Sequence, residues 1–312
     1  MAYNTYTPEQ AGEVALAAIS TSLDLARHVR RYTEADFAPG TGGKAYLRIP
    51  SALTARARSL RDTSTAVVFD ELIERRTSVD LSTNLVSAVK IGDAELRLDI
   101  TDFTKQVLRP QGESIADGID NALAALLSGI TASTDPTGYD AAKPTDLFVK
   151  GRRALRAKGV DVANSDLVAF VGGAVIDDLL LSGALDFAKT GDANALRSGS
   201  AGRIAGFEVA ETSRGIEDDE IVFTTRTGLY VATVAPEVPN GVAFGTVTAK
   251  DGLSVRYLRD YDATHLTERS VASVFVGTGI SPLYDVERDY DTHAATVTPV
   301  DGGAVVKVST SA

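Results

Sequence analysis

A stretch of forty residues with helical periodicity, from Ile91 to Ile130, constrains the fold of this chain more than any other feature. The apolar residues of its second half recur every three or four residues: Ile115, Ile119, Leu123, Leu126, Leu127 and Ile130. This spacing is the period of one helix face. The first half, Asp93 to Leu108, has the same spacing, and Pro110 stands where a second helix could begin, because a first-turn proline loses no helical hydrogen bond. The sequence therefore predicts two helical segments joined at Pro110, with their apolar face in the core.

The composition narrows the class of protein. A chain of 312 residues can form one large or two medium domains, and 44% of its residues are hydrophobic, as in ordinary globular proteins. It contains no cysteine, which excludes disulfides, thiolate nucleophiles and cysteine-ligated metals. The formal charge of −11 argues against tight nucleic-acid binding, and no apolar run approaches the length of about 18 residues that a membrane span needs.

The N-terminal segment opens with a helix-capping pattern. Thr7 is suited to the cap, Pro8 to the first helical position and Gln10 to the capping-box position. The apolar spacing predicts that this helix continues to about Arg31. A Gly-rich loop follows, so two interpretations stay open: the helix is an arm that packs on another subunit, or it packs on its own domain.

The segment Gly40 to Ala45 resembles a phosphate-binding loop only superficially. Ala38 occupies the position of the first glycine, and Ala45 follows Lys44 where the motif requires serine or threonine. Residues 45–50 read as a strand, whereas a helix should follow such a loop. We therefore exclude a nucleotide site here.

Residues 44–91 predict a long two-stranded ribbon. The outgoing strand begins near Tyr46, and the return strand spans Thr77 to Leu85. The segment contains eight Lys or Arg against five acids, so it is basic within an acidic chain. Because an isolated two-stranded ribbon is marginal in water, we expect it to need a partner surface. A solvated charged hairpin is the alternative.

The rest of the chain predicts an α/β unit at about 131–250, followed by returning strands. The predicted elements are a helix that ends at Gly159, a buried strand at Asp166–Val171, a short helix at Ala174–Leu181, strands at 204–210, 220–225 and 229–234, and two returning strands at Leu253–Tyr261 and Val271–Val276. The tail contains a hairpin signal around Asp301, Gly302 and Gly303.

The sequence contains no catalytic constellation. Its three histidines, His28, His265 and His293, lie far apart, and the nucleophile-elbow, zinc-helix and dinucleotide motifs are absent. The acids at 217–220 could bind a cation, but acids at the entry to a strand are more often solvated. The cations of the helix that ends at Gly159 predict a solvated face: Arg152, Arg153, Arg156 and Lys158. We therefore expect no cofactor and no metal.

Four stretches carry a resemblance to a known family. They are ITDFTKQVLRPQGESIADGID (100–120), LVAFVGGAVIDDLL (167–180), GRIAGFEVAET (202–212) and GLSVRYLRDYDATHLTERSVASVFVG (252–277). The chain resembles a tailed-bacteriophage major capsid protein of the HK97 fold, in the branch of P22-like coat proteins. In that family the first stretch corresponds to the spine helix, the next two to the A-domain and the last to the peripheral domain.

The resemblance implies an α+β fold of the HK97 type. Its parts would be an N-arm at 1–43, an extended β-hairpin loop at 44–91, a long spine helix with the peripheral domain at 92–131, an α/β A-domain at 132–250, and returning peripheral strands with a C-terminal tail at 251–312. The chain is too short for the large inserted domain of P22 coat protein. The family's covalent crosslink is not expected, because no motif identifies an asparagine partner for Lys44.

The resemblance also implies a structural, non-enzymatic function. Copies of the chain would assemble through pentamers and hexamers into an icosahedral virion capsid that encloses double-stranded DNA without sequence-specific binding. Assembly would take place in the host bacterial cytoplasm, without a membrane. A separate scaffolding protein, a portal and a decoration protein are further expected partners.

In this interpretation the extended loop lies across a neighbouring subunit. The predicted inter-subunit contacts are its arginines: Arg56, Arg58, Arg61, Arg75 and Arg76. Two alternatives stay open on the sequence. One is an encapsulin-like protein compartment with the same fold, and the other is an α/β enzyme with a defined pocket.

Overall fold

The computed structural model describes residues 7–33, 44–49, 55, 59–64, 66, 67, 69, 75–93, 102–134, 139–182, 202–242, 244–289 and 294–310. Within these ranges the chain forms four α-helices, two six-stranded sheets and two separate two-stranded ribbons. The first sheet packs against the long central helix and the N-terminal helix, and the second sheet packs against the other two helices.

The long central helix, α2, spans Arg109–Ser128. Ile115, Ile119, Leu123 and Leu127 lie in the core with at most 2% of their surface exposed, while Leu126 and Ile130 are partly buried at its border. The periodic face predicted from the sequence is therefore confirmed as core.

A π-helical turn, Thr104–Leu108, leads directly into α2 with helical backbone angles throughout. The N–H of Arg109 donates to the carbonyl of Thr104, five residues back, and the next residue, Pro110, has no N–H to donate. The joint predicted at Pro110 is confirmed as a change of hydrogen-bond register, but not as a separation into two helices. Residues 94–101 of the predicted first segment lie outside the described residues.

The N-terminal helix, α1, spans Pro8–Ser22 and begins as predicted. The Oγ1 of Thr7 accepts from the N–H of Gln10, and the side chain of Gln10 accepts from the N–H of Thr7. The expectation that the helix continues to Arg31 is wrong. The buried carboxylate of Asp120 on α2 accepts hydrogen bonds from the N–H groups of Asp24 at 2.7 Å and Ala26 at 2.9 Å. These bonds hold the segment after Ser22 in a non-helical conformation, so the helix ends there.

Helix α1 packs on its own chain, so the second of its two interpretations is the one observed. Leu16 and Ile19 join the core cluster that α2 forms. The two helices approach closely at Gly112, where an added Cβ would lie 2.6 Å from the Cβ of Ala18. Burial of small and aliphatic side chains thus attaches the N-terminal helix to α2.

The first sheet contains the central strand β13 and five others. Its strands are β1 (Arg30–Tyr32), β4 (Thr83–Gly92), β10 (Leu229–Val234), β11 (Phe244–Lys250), β12 (Leu253–Asp262) and β13 (Thr267–Ile280). Strand β13 pairs antiparallel with β4, β10 and β12, and β1 pairs parallel with β10. The strands predicted at 229–234, 253–261 and 271–276 are confirmed.

A buried polar network fixes α2 on this sheet. The Nε2 of Gln111 donates to the carbonyls of Ser87 on β4 (3.1 Å) and Ser270 on β13 (2.9 Å), while its Oε1 accepts from the Oγ of Ser270 (2.8 Å). The hydroxyls of Tyr257 and Ser270 lie 2.8 Å apart. Buried polar groups are tolerated only when they are hydrogen-bonded, so this network sets the position of the helix along the sheet.

The strands of the second sheet are β5 (Ser133–Thr134), β6 (Leu167–Val171), β7 (Arg203–Ile204), β8 (Phe207–Glu211), β9 (Glu220–Thr225) and β16 (Val305–Ser309). They follow the order β5-β16-β9-β6-β8-β7. Helices α3 (Thr145–Ala157) and α4 (Gly173–Leu181) pack on it. Phe148, Phe207 and Phe223 form the centre of its core with edge-to-face or tilted rings.

Sheet membership does not follow sequence order. Strands β10 and β11 lie inside the range 132–250 but belong to the first sheet, while β16 from the tail completes the second. The hairpin predicted around Asp301 is wrong. There the chain leaves the ribbon formed by β14 (Leu283–Asp289) and β15 (Ala294–Val300) and enters β16, through two glycines with positive φ.

The prediction that the cations near the end of α3 form a solvated face is wrong for two of them. The guanidinium of Arg152 donates to the carbonyls of Ala205 (2.7 Å) and Val162 (3.1 Å). The Nζ of Lys158 donates to three carbonyls at the corner before β16, the shortest bond being 2.8 Å to Val305. These cations therefore bind backbone carbonyls of loops and of the first residue of β16.

We predict that Ile119→Ala or Leu123→Ala destabilises the subunit by about 2–5 kcal/mol, because both side chains are buried and truncation leaves a cavity. Chemical denaturation of the purified chain measures the change. Asn121→Ala, at an exposed position of the same helix, is the matched control and should cost far less. Unchanged stability in both core variants would contradict the assignment of this face to the core.

Candidate functional site

The predicted ribbon is present as β2 (Lys44–Ile49) and β3 (Arg75–Asp80), paired antiparallel. Val79 on β3 is 1% exposed and packs with Tyr32 and Tyr230 of the first sheet. Its neighbours Ser78 and Asp80 are exposed, as the alternation of a strand requires. The ribbon is therefore attached to the first sheet through one face, and its other face is turned away from the core.

Three of the five predicted contact arginines lie among the described residues of this segment. Arg61 lies exposed in a turn. Arg75 and Arg76 are on β3, opposite Ile49 and Arg48 in the strand register. Arg56 and Arg58 lie outside the described residues. Inter-subunit contact by these five residues stays a prediction.

The outer end of the ribbon also presents large apolar side chains, which sequence reasoning missed. Leu60 is fully exposed, Phe69 is 86% exposed and Val67 is 61% exposed. Isolated apolar residues on a surface are ordinary, but a group of them in one loop indicates an interaction site. The available signal was the presence of leucine and phenylalanine in a segment without helical or strand periodicity.

A second exposed apolar surface lies on the first sheet, on the face opposite α2. Leu85 of β4 packs against Gly118 of α2, so Val86 belongs to the outer face, where it is 54% exposed. The register continues this face across the sheet, because Ala88 lies opposite Val271 and Val271 opposite Leu258. Strand alternation in the sequence shows that two faces exist, but not which of them the helix covers.

The segment after α1 reaches the second sheet through His28. Its Nδ1 lies 3.0 Å from the Oε1 of Glu208 on β8, and its ring packs edge-on against Phe170. Because a carboxylate only accepts, the proton lies on Nδ1. Burial lowers the pKa of His28 from its ordinary value of 6.5, and the charge of Glu208 opposes this shift without cancelling it. The imidazole is therefore a neutral, structural hydrogen-bond donor at neutral pH.

Two of the acids at 217–220, Asp219 and Glu220, bond to side chains of β16. The Oε2 of Glu220 lies 2.8 Å from the Nζ of Lys307, and both side chains are largely buried. Asp219 accepts from the Oγ of Ser309 at 3.2 Å. Nowhere in the described ranges do three His, Cys, Asp or Glu side chains converge in a way that could hold a metal ion.

A cleft of about 530 Å³ lies between the end of α2 and the corner before β16. Leu126, Ile130 and Ile280 supply apolar lining, and Lys158 and Lys307 supply cations. Both ammonium groups already have hydrogen-bonded partners in the chain. Thr131 and Asp301 also line the cleft, so its polar lining combines two lysines with one hydroxyl and one carboxylate.

The described part of the chain contains no helix that is long and apolar enough to cross a bilayer. This observation agrees with the sequence, in which no long apolar run occurs.

No family model matches the chain, and no curated protein matches it. The chain does match solved structures. A protein of Mycobacterium phage Che8 matches with a TM-score of 0.57 and 16% identity over 92% of this chain and 90% of that chain. The capsid structure of cyanophage P-SCSP1u matches with a TM-score of 0.56 and 10% identity over 89% and 86%. The capsid of Ralstonia phage GP4 matches with a TM-score of 0.55 and 15% identity over 90% and 87%.

These similarities extend over nearly the whole chain and confirm the predicted fold class, an α+β fold of the HK97 capsid type. At sequence identities of 10–16%, these matches show the fold alone. The P22-like branch and the domain boundaries stay predictions.

We predict that His28 makes stability depend on pH. Its folded pKa lies below the unfolded value of 6.5, so the unfolded chain binds the proton more readily. The stability contributed by neutral His28 is present above pH 6.5 and is lost as the pH falls through the lower folded value. Thermal unfolding of the unmodified chain and of His28→Gln, measured between about pH 7 and 5, should show a steeper loss in the unmodified chain.

The glutamine can still donate to Glu208, so this variant removes the titration and keeps the hydrogen bond. Parallel pH profiles for the unmodified chain and His28→Gln would contradict the structural role assigned to the neutral imidazole.

Proposed function

We propose that this chain is a major capsid protein, the structural subunit of an icosahedral shell that encloses phage double-stranded DNA. The observation that carries the proposal is the fold, which matches capsid structures of cyanophage P-SCSP1u and Ralstonia phage GP4 over most of their length. One fold serves many functions, so the surfaces of this chain must also suit assembly.

The β2–β3 ribbon supplies the first supporting surface. Among the described side chains of the ribbon, Val79 is the one that belongs to a core cluster. The loop between its two strands exposes Leu60, Val67 and Phe69. A two-stranded ribbon is marginal without a partner. A neighbouring copy that covers the end of the ribbon would supply the missing burial.

The charge distribution is the second observation that supports assembly. The ribbon segment is basic, whereas the chain as a whole has a formal charge of −11. Carboxylates of a neighbouring copy would therefore be available to the five predicted contact residues, Arg56, Arg58, Arg61, Arg75 and Arg76. Contacts of this kind join unlike surfaces of identical subunits, and such heterologous contacts close into rings when the rotation permits.

Rings of five and six subunits would build the closed shell, with each subunit contacting its neighbours through the ribbon. The overall negative charge suits a container that holds DNA without gripping it. We infer that the shell is the virion capsid, assembled in the host bacterial cytoplasm. A separate scaffolding protein, a portal and a decoration protein would be its further partners.

The enzyme alternative has weaker support in the described residues. The cleft beside the end of α2 is lined mostly by apolar groups, and its two lysines are already bonded. His28 and Glu220 are likewise occupied by structural bonds. A structural subunit that is not an enzyme accounts for these residues without further assumptions.

Electron microscopy of the purified chain, after trials across salt, pH and concentration, tests the proposal. We expect closed shells tens of nanometres across. Small oligomers under every condition would contradict it. Particles isolated from infected host cells should contain DNA, and particles that instead enclose a protein would favour the encapsulin-like alternative.

We predict that reversing the arginines at the outer end of the ribbon, in the triple variant Arg56→Glu, Arg58→Glu and Arg61→Glu, prevents shell formation without unfolding the subunit. Each exposed ion pair contributes only about 0–1 kcal/mol, but every subunit repeats it. Circular dichroism checks the fold, and light scattering with electron microscopy checks assembly. High salt should slow assembly of the unmodified chain, because exposed charges are screened beyond about 10 Å at 0.1 M.

The matched control reverses Arg153 and Arg156, two exposed cations of α3, and should assemble normally. If the triple variant forms normal shells, the outer end of the ribbon is a solvated hairpin and not an inter-subunit contact.

A further inference from the structure

Helix α3 lies in a segment whose charge is opposite to that of the whole chain. Residues 143–158 contain six Lys or Arg against one acid, a net charge of +5, whereas the chain has a formal charge of −11. Charges at a surface act mainly within about 10 Å at 0.1 M salt. A cationic segment can therefore attract an anion that comes close, even though the molecule as a whole repels it.

Two of these six cations fix the helix on its own chain. Arg152 binds a backbone carbonyl in the turn between β7 and β8, and Lys158 binds one at the start of β16. Gly151 brings the helix backbone against the second sheet, since an added Cβ would lie 2.6 Å from the ring of Phe223. The side of α3 that is turned away from the second sheet, its outward face, is thus held in a defined position.

The outward face presents three further cations. The exposed residues of α3 are Asp146, Val149, Lys150, Arg153, Arg156 and Ala157. Lys150, Arg153 and Arg156 follow one another at intervals of three residues, which places successive cations about 4.5 Å apart along the helix axis. Residues at this spacing are neighbours on the helix surface, so the three side chains form one continuous cationic row.

The stability of the helix does not account for this row. Like charges three or four residues apart destabilise a helix, and Arg153 has Lys150 three residues before it and Arg156 three residues after it. The helix dipole favours cations in the last turn. Arg156 lies in that turn, but Lys150 and Arg153 precede it. The repulsion within the row is relieved when an anion binds across it.

Within the described ranges, neither Arg153 nor Arg156 has a carboxylate partner. Asp161, in the loop after the helix, already accepts two hydrogen bonds from the residues that follow it. Arg259 and Arg269 of the first sheet show the contrast, because each is paired with a carboxylate on the adjacent strand. The guanidinium groups of the outward face are therefore available to an external anion.

The residue types of the outward face fit phosphate groups. A guanidinium binds phosphate through two hydrogen bonds, and an ammonium binds it as a point charge. The exposed residues of α3, all of which are described, include no aromatic ring on which a base could stack and no Asn or Gln that could read adenine. This composition suits contact with the backbone of DNA of any sequence.

An acidic protein partner fits less well. The cores of protein interfaces are apolar, and Val149 is the one large apolar side chain among the exposed residues of α3. Duplex DNA, in contrast, needs no apolar surface and presents phosphates about 3.4 Å apart along each strand. The long side chains of lysine and arginine span the difference from the spacing of about 4.5 Å in the cationic row, so each can reach a different phosphate.

We propose that the outward face of α3 contacts the phosphate backbone of the enclosed DNA, through Lys150, Arg153 and Arg156. This inference rests on the proposed function, and it assigns the outward face to the inner wall of the shell. Each subunit then attracts DNA at one small patch, while the acidic remainder of the chain repels it. The DNA is held at repeated points without sequence preference.

Fluorescence anisotropy of a short labelled duplex with the unassembled subunit tests the contact, and light scattering confirms that no shells form during the measurement. The triple variant Lys150→Gln, Arg153→Gln and Arg156→Gln removes the charges and keeps polar side chains. Three phosphate contacts give a definite salt dependence. Between about 50 and 200 mM salt, the affinity of the unmodified chain should fall roughly 40-fold more than that of the variant.

The matched control removes the same charge elsewhere, in the triple variant Arg27→Gln, Lys105→Gln and Arg269→Gln. These three side chains are exposed, and each is paired with a carboxylate of its own chain. The control should keep the salt dependence of the unmodified chain. Circular dichroism checks that both variants are folded, and electron microscopy should show shells from the α3 variant, because the row takes no part in assembly.

Cryo-electron microscopy of DNA-filled particles from infected cells tests where the contact lies. We expect the outward face of α3 on the inner wall, next to the outermost layer of DNA. A particle in which this face points to the exterior, or is covered by a neighbouring subunit, would overturn the proposal and leave the capsid function standing.

The binding measurements have equally definite outcomes. Equal salt dependence in the α3 variant and the unmodified chain overturns the proposal, and so does an equal loss in the control. Binding of a poly-glutamate peptide in place of DNA, lost in the α3 variant, would assign the face to a protein partner and overturn it as well. Absence of shells from the unmodified chain would overturn the proposed function, and with it the placement of α3 against enclosed DNA.

Discussion

Burial of one face of α2 is the constraint on which the rest of the structure depends. The core that contains Ile119 and Leu123 also contains side chains of α1 and of both sheets, so the helix lies where these layers meet. Two polar residues interrupt its buried face, and each fixes a layer. Gln111 holds β4 and β13, and Asp120 holds the segment after α1. Burial raises the pKa of Asp120, and the two N–H donors that oppose this shift are the groups it positions.

The elements that could be predicted from the sequence are those whose signals are local. The face of α2 and strands β6, β9, β10 and β12 follow from apolar spacing within a few residues. The end of α1 could not be predicted, because the group that redirects the chain, Asp120, is 96 residues from Asp24. The hairpin signal at 301–303 is misleading because strand pairing is not visible in the local sequence. Its glycines have the positive φ values of a turn, but the strands on either side do not pair with each other: β15 pairs with the preceding β14, and β16 pairs with β9 of the second sheet.

The sequence predicts which segment forms the candidate site, but not which of its side chains are exposed or lie opposite each other. The excess of cations over acids in 44–91 marked the ribbon as basic, and its two strands are observed. Which cations oppose each other depends on register, and register cannot be read from a segment whose outer part lacks alternation. Exposure of Leu60 and Phe69 is likewise a property of the folded loop. Arg152 and Lys158 illustrate the same limit, because the sequence predicts that both are solvated, whereas in the fold both bind backbone carbonyls.

Weak, repeated contacts fit a subunit that must first be soluble and then assemble. A strongly apolar ribbon would associate in any register, whereas opposed charges select one arrangement and penalise others. The net negative charge of the chain keeps free copies apart at long range, and in the proposed shell the cations of residues 44–91 would give attraction only where carboxylates of a neighbouring copy come close. Each pair is worth little by itself. A subunit that gives one contact and receives another cannot leave a closed ring without breaking both, so closure multiplies a small free energy into a stable shell.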